Sequence, residues 1–291
     1  MFGIELLDAG AIAVSIEEAG RIAKRVWVDA GKDLGAAAVA ALGQVGAGAA
    51  PLGIASATPE APAVAAAVMA IGKRIPGAPT VAIASGIAGG AAEAWGGVGR
   101  GFKDVVFFAV SEHATGGIVR EGEPIDGGHR RAASVAWLAL NPVEREDYRR
   151  IGCLEAEVAA AGIVRRLIWR IKSGDQSSAQ KAAGGNLAAI TVDHVLAAAR
   201  QGDGVAISIV RDTAKYLGMA AANLIVITDP QVLAVGGLMA TCADLFLEPL
   251  RFETMRRLPK SLGDLVTIAP ASFKDDAPAV GAARLAALSV R

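Results

Sequence analysis

Aromatic residues are scarce in this 291-residue sequence, at 4%. Any large core must therefore be built from Ala, Val, Leu and Ile. With 53% hydrophobic and only 20% charged residues, there is enough apolar material for one large domain or two ordinary ones. An excess charge of either sign is also missing, since 29 Lys and Arg balance 29 Asp and Glu. A neutral chain argues against nucleic acid, where a basic face supplies most of the affinity. Local basic pairs do occur, at Arg149-Arg150 and Arg165-Arg166. Two cysteines, Cys153 and Cys242, form neither a disulfide framework nor a Cys-x-x-Cys pair. No apolar run reaches the roughly 20 residues needed to cross a bilayer. Residues 34–50 come nearest, and glycines and Gln44 interrupt them. No early segment joins a basic start, an apolar run and a cleavage site, so a signal peptide is not expected. These absences predict a cytoplasmic protein whose partners include neither nucleic acid nor membrane.

What is present is a repeated alternation. "MFGIELLDAGAIAVSIEEAGRIAKRVWVDA" reads as three strands joined by turns, one turn being signalled by Glu18 to Gly20. Helix, strand, helix and strand follow in "DLGAAAVAALGQVGA", "PLGIASA", "APAVAAAVMAIGKRI" and "PTVAIAS". "GIAGGAAEAWGGVGRG" is a glycine-punctuated helix, and from "KDVVFFAVS" the strands begin again. The second half is more helical. Its strand "QVLAVGGLMA" ends in Gly236-Gly237, and the strand "LVTIAPASF" precedes a last helix, "APAVGAARLAALSVR". "SGDQSSAQKAAGGN" reads as a loop. This order, stated twice, predicts a duplicated α/β unit around a cleft.

Several phrases resemble the ROK family of bacterial sugar kinases and repressors. "GCLEAEVAAAGIVRR", "AARQGDGVAISIVRDTAKYLGMAAANLIVITDPQVLAVGG", "ADLFLEPLRFETM" and "DDAPAVGAARLAAL" carry the resemblance in the second half, and "GIELLDAGAIAVSIEEAGRIAKR" matches the opening hairpin. The resemblance implies an α/β, duplicated actin/hexokinase-type (ribonuclease H-like) two-domain fold with a central cleft. It places an N-terminal domain at 1–107, a helix-rich C-terminal domain at 108–276, and a closing helix at 277–291 that packs back on the first domain. It also implies ATP and Mg²⁺ as cofactors, a sugar or other small molecule as ligand, and a homodimer or a pairing with a related chain.

The chemical motifs of that family are altered together. Its opening strand carries Asp and then Gly-Gly-Thr, whose backbone and hydroxyl hold phosphate and metal; the positions here read Glu5, Leu7, Asp8 and Ala9. Its catalytic base, the Asp of an Asn-Asp pair, aligns with Ser85 after Ala84, and a serine has no carboxylate to accept a proton. Its second phosphate loop, Gly-Thr-Gly and then a glycine run, reads Ser111-Glu112-His113-Ala114-Thr115-Gly116-Gly117. Gly116 and Gly117 are expected to shape the hairpin turn. Its Glu-x-Gly-His aligns with Ser134-Val135-Ala136-Trp137, with Trp137 expected to fill the vacated site. Of its zinc loop only Cys153 survives, so zinc is not expected.

The expectation is thus a ROK-type protein without phosphoryl transfer, a pseudokinase that keeps a ligand or partner cleft. Gly116, Gly117, Gly236 and Gly237 remain as nucleotide-side candidates, and Ser85, Ser111, Ser134 and Trp137 as cleft-lining ones. The alternative is a divergent sugar kinase, or other chemistry in the same cleft, resting on Glu5, Asp8, Glu112 and His113. Ser111, Glu112 and His113 are not expected to form a hydrolase triad, because neighbours on a strand point to opposite faces.

Overall fold

The computed structural model describes residues 1–17, 20–48 and 51–289. The first unit opens with β1 (Phe2–Leu6), β2 (Gly10–Ile16) and β3 (Ile22–Asp29) and continues through α1 (Leu34–Val45), β4 (Leu52–Ser56), α2 (Pro62–Arg74), β5 (Ile83–Ala84) and α3 (Ser85–Gly96). The second begins with β6 (Val105–Val110), β7 (Ala114–Arg120) and β8 (Glu123–Pro124). A helical stretch follows, with α4 (Glu146–Ile151), α5 (Cys153–Val158), α6 (Ala160–Lys172), α7 (Ser178–Ala182), α8 (Val192–Arg200) and α9 (Gly204–Thr228). The chain closes with β9 (Val232–Gly237), α10 (Leu238–Thr241), α11 (Ala243–Met255), α12 (Lys260–Gly263), β10 (Thr267–Pro270) and α13 (Ala277–Ser289).

The duplication expected from the sequence is visible in the sheets. One runs β3-β2-β1-β4-β5 and the other β10-β9-β6-β7-β8. In each, a three-strand antiparallel meander is extended by two parallel strands on the far side of its first strand. Parallel neighbours need a crossover connection, and helices supply it.

The scarcity of aromatics now has a structural reason. Helix α3 lies against β7, and α13 lies against β1, β4 and α3, at backbone-contact distance. A Cβ on Gly3 would stand 1.9 Å from the Ala279 carbonyl oxygen, and one on Gly281 would stand 1.7 Å from that of Ala88. Large side chains cannot enter such layers, so Ala and Gly fill them at high density. Phe107 on β6 enters only where Gly89 of α3 leaves room, a Cβ there standing 2.3 Å from its ring, while Phe108 is fully buried on the opposite face of the strand.

Four local readings differ from the structure or fall outside it. Gly116 and Gly117 lie inside β7, paired with Phe108 and Phe107, and neither has a positive φ. Their glycine requirement is steric: a Cβ on Gly117 would be 2.0 Å from the Gly86 carbonyl oxygen of α3. The turn itself is Ser111–His113, closed by the Ser111 N–H donating to the His113 carbonyl at 3.0 Å. "PTVAIAS" keeps only the two-residue β5, and Ser85 is already the first residue of α3. "SGDQSSAQKAAGGN" contains α7, nucleated where the Ser177 side chain accepts from the Ala179 N–H. The expected turn at Glu18 to Gly20 falls mostly outside the described residues. Among the described residues no helix is long and apolar enough to cross a membrane.

Candidate functional site

Alternation along β1 turns Glu5 to the same face as Gly3, toward α13, and sets it in a cavity of about 300 Å³ between the two units. Leu7, Glu112, His113, Gly237 and Asp275 line the same space. Glu5 is only 5% exposed. Its single hydrogen bond runs to Ser85, the first residue of α3, whose Oγ donates to Glu5 Oε1 at 2.6 Å. Burial pushes the Glu5 carboxyl up to about 8; Asp275, Asp276 and Glu112 add to this with their charges, and the Ser85 bond opposes it. Near neutral pH Glu5 is therefore mostly an uncharged acid.

The β6–β7 turn reaches across the cleft. Glu112 Oε2 accepts the backbone N–H of Asp8 at 3.1 Å. The His113 ring lies between two carboxylates, with Nδ1 3.1 Å from Glu155 Oε1 and Nε2 3.2 Å from Asp8 Oδ2. Glu155 is fixed in turn, because its Oε2 accepts from the Ala114 N–H at 2.9 Å. The Glu155 hydrogen bond is the main cause raising the His113 pKa to about 9, against the opposing effect of burial. At neutral pH both ring N–H groups donate, and His113 links the β1–β2 turn to α5.

A second cavity of about 350 Å³ lies on the other side of His113. Ser85, Thr115, Ser134, Trp137 and Glu155 line it. Arg131 and Glu60 are paired across it at 2.6 Å, and Ser134 Oγ donates to the Arg131 carbonyl at 2.7 Å. His113 belongs to both linings, and the Glu5–Ser85 pair has one member in each.

The structure thus brings Glu5, Ser85, Asp8, Glu112 and His113 to one place, without a triad. Ser111 lines the first cavity beside Gly237, while Gly236 sits within β9 opposite Ala109. Gly237 has a φ of 60° and a Cβ there would meet the Val110 carbonyl oxygen at 2.2 Å, so close strand packing requires it. Trp137 differs from expectation. It is 56% exposed at the rim of the second cavity and does not fill it, because a short 3₁₀ turn over Val135–Trp137 buries Val135 in the core beside Gly116 and leaves Trp137 outside. Glu155 escaped sequence reasoning. Its one signal is an acidic residue placed among the small and apolar residues of "CLEAEV", a helix that is buried throughout. Among the described residues no group of three or more His, Cys, Asp or Glu is placed to hold a metal ion.

Both perturbed groups give the same sign of pH dependence. Between their ordinary values, 4.5 for Glu5 and 6.5 for His113, and their folded values near 8 and 9, the native state holds protons that the unfolded chain has released. Stability therefore falls as pH rises through this window. The melting temperature is expected to decline from about pH 5 to about pH 9. Glu5→Gln should flatten the portion below pH 8, and His113→Gln the portion above 6.5. A melting temperature that climbs over this range would contradict both placements.

Comparison with known proteins gives a consistent picture. The family model described as "ROK family" matches residues 77–288. Glucokinases of Halalkalibacterium halodurans and Thermotoga maritima are each 28% identical, over 65% and 66% of this chain and 58% and 61% of their own lengths. The DNA-binding transcriptional repressor Mlc of Escherichia coli is 22% identical over 66% of this chain and 46% of its own. The aligned region thus spans less than two thirds of these curated relatives. Among solved structures, a ROK family glucokinase from Streptomyces griseus, in complex with glucose and AMPPNP, superposes with a TM-score of 0.84 at 24% identity over 98% of each chain. A ROK family transcriptional regulator homologous to E. coli MLC gives 0.77 at 18% identity, over 99% of this chain and 78% of that one. At these identities the structural likeness establishes the fold, that of the ROK sugar kinases and regulators.

Proposed function

Because the chain belongs to the ROK family, we propose that it is a sugar-kinase-like protein that binds a small polyhydroxylated ligand in its cleft and does not transfer phosphoryl groups. One observation carries this reading: the β6–β7 turn occupies the junction of the two cavities with its own side chains. Glu112 takes the Asp8 amide, the kind of donor the family's opening loop offers to phosphate, and His113 is held from both sides by Asp8 and Glu155. A polyphosphate would have to displace that carboxylate and lie beside Leu7, Glu5 and Asp275. The residues present do not fit the nucleotide phosphates.

The second cavity retains what a sugar ligand requires. Hydroxyl and carboxylate groups of Ser85, Thr115 and Glu155 line it, and Trp137 offers a flat apolar face at the rim. Relatives named as glucokinases and relatives named as repressors both occur among the matches, so membership does not by itself imply turnover. A second reading rests on the 2.6 Å contact between Ser85 and Glu5, in which Glu5 serves as a surrogate base acting through the serine hydroxyl.

The test is a melting experiment with Mg-ATP and, separately, with a panel of hexoses and N-acetylhexosamines. A ligand bound only by the folded state at about 100 times its Kd adds about 2.7 kcal/mol, a readily measured shift. The proposal expects a shift with at least one sugar and none with millimolar Mg-ATP. A clear Mg-ATP shift would refute the loss of the nucleotide site, and no shift with any sugar would refute the ligand class.

A further inference from the structure

A groove of about 880 Å³ runs between α6 and α9, and none of its lining residues belongs to either cleft cavity. The chain as a whole is neutral, yet six cationic and two acidic side chains line this groove. The pairing around it is oversubscribed. Glu157 serves both Arg145, at 3.2 Å, and Arg166, at 3.9 Å. Asp147 serves Arg150 and Arg165, and Glu253 serves Arg256 and Arg257. Three carboxylates shared among six guanidinium groups leave a local surplus of positive charge.

Burial and neighbouring charge both act on the arginines themselves. Burial lowers the affinity of Arg165 for its proton, and the charge of Arg145 lowers it further. Arg166 is shifted the same way, chiefly by burial, and its Nε is buried without a hydrogen-bond partner. Buried donors are seldom left unpaired, because an unmade hydrogen bond forfeits the full desolvation cost of the group. Trp169, 66% exposed, forms part of the groove wall. A two-fold axis through this face would set the same surplus against itself, which disfavours a second copy as its occupant.

We propose that the α6–α9 groove binds a phosphorylated small molecule, with the phosphoryl group seated among Arg145, Arg165 and Arg166. The volume suits a small-molecule ligand. Planar guanidinium forks match phosphate oxygens in pairs, and the anion would neutralise the surplus that Glu157 and Asp147 leave. This site is separate from the cleft and does not depend on whether the cleft binds sugar.

The full-length protein supplies its own reporter. Titration with inorganic pyrophosphate, followed by tryptophan fluorescence, is expected to give a saturable change that Trp169→Phe abolishes. Charge-assisted hydrogen bonds of the usual strength predict that Arg145→Gln combined with Arg165→Gln raises the apparent Kd about ten- to hundredfold. Should the double variant fail to fold, Arg145→Gln alone, at a side chain that is 55% exposed, gives the same reading. Signal that survives in Trp169→Phe would come from Trp27, Trp95 or Trp137, all outside the groove, and would overturn the proposal by placing the anion elsewhere. It is equally overturned by no saturable change up to about 10 mM pyrophosphate, or by an affinity that the arginine substitutions leave unmoved.

Discussion

Sugar phosphate is expected to form, if at all, at least a hundred- to ten-thousandfold more slowly than in ordinary sugar kinases, since loss of a positioned base alone costs about that much. Ordinary kinases turn over at roughly 1–100 s⁻¹, so a coupled ADP assay on a hexose panel should read close to its blank. The reason is local. On the proposed reading Ser85 takes the place of the carboxylate that would accept the sugar proton, and its hydroxyl is already donated to Glu5. Glu5, pushed up to about 8, is largely protonated at neutral pH and cannot take that proton. The surrogate-base reading makes the opposite forecast from the same geometry. Turnover would then rise with pH to a midpoint near 8 and disappear in Glu5→Gln. Activity with that profile would overturn the non-catalytic reading, whereas a flat trace from pH 6 to 9 would exclude Glu5 as a base.

The largest stability loss is expected at Glu93, a residue outside both cavities. It is fully buried on α3, and its carboxylate accepts three backbone N–H groups: Val98 at 2.9 Å, Ser272 at 3.0 Å and Phe273 at 3.0 Å. Two of these belong to the segment leading into α13, so one side chain fixes the relative placement of the two helices that border the cleft. Glu93→Ala leaves all three donors without their acceptor. At about 1–3 kcal/mol for each of the three stranded groups, a loss of roughly 3–9 kcal/mol is expected, out of a typical total of about 5–15 kcal/mol. Chemical denaturation of the variant measures it directly. Glu93→Gln keeps the shape and one carbonyl acceptor, and should lose about half as much. An Ala variant within about 1 kcal/mol of the parent would show that the three amides find other partners.

These two expectations differ in how much of each could be read from the chain. The proposal that the base and both phosphate loops are altered could be framed from the order of residues alone, because it rests on aligning Ser85, Leu7, Glu112 and His113 with the family's chemical motifs. The role of Glu93 could not. Its three partners lie five to 180 residues away, and an acidic residue in a helix of small residues has no sequence mark that predicts a buried acceptor.

The sequence alone determined the duplicated α/β order, since strand and helix periodicities are local properties of the backbone and appear twice in the same succession. It also determined that Ala, Val, Leu and Ile rather than aromatics would make up most of the core, which follows from composition. Only the tertiary structure decided what the replaced side chains do. Glu112 and Asp8 are 104 residues apart and His113 and Asp8 are 105 apart; each pair meets because the two sheets face one another across the cleft. The same holds for Gly116 and Gly117, whose need for glycine comes from α3 passing over β7 rather than from a turn. The surplus of arginines around α6 and α9 is likewise invisible in a chain whose charges cancel, because pairing depends on distance in space and net charge does not.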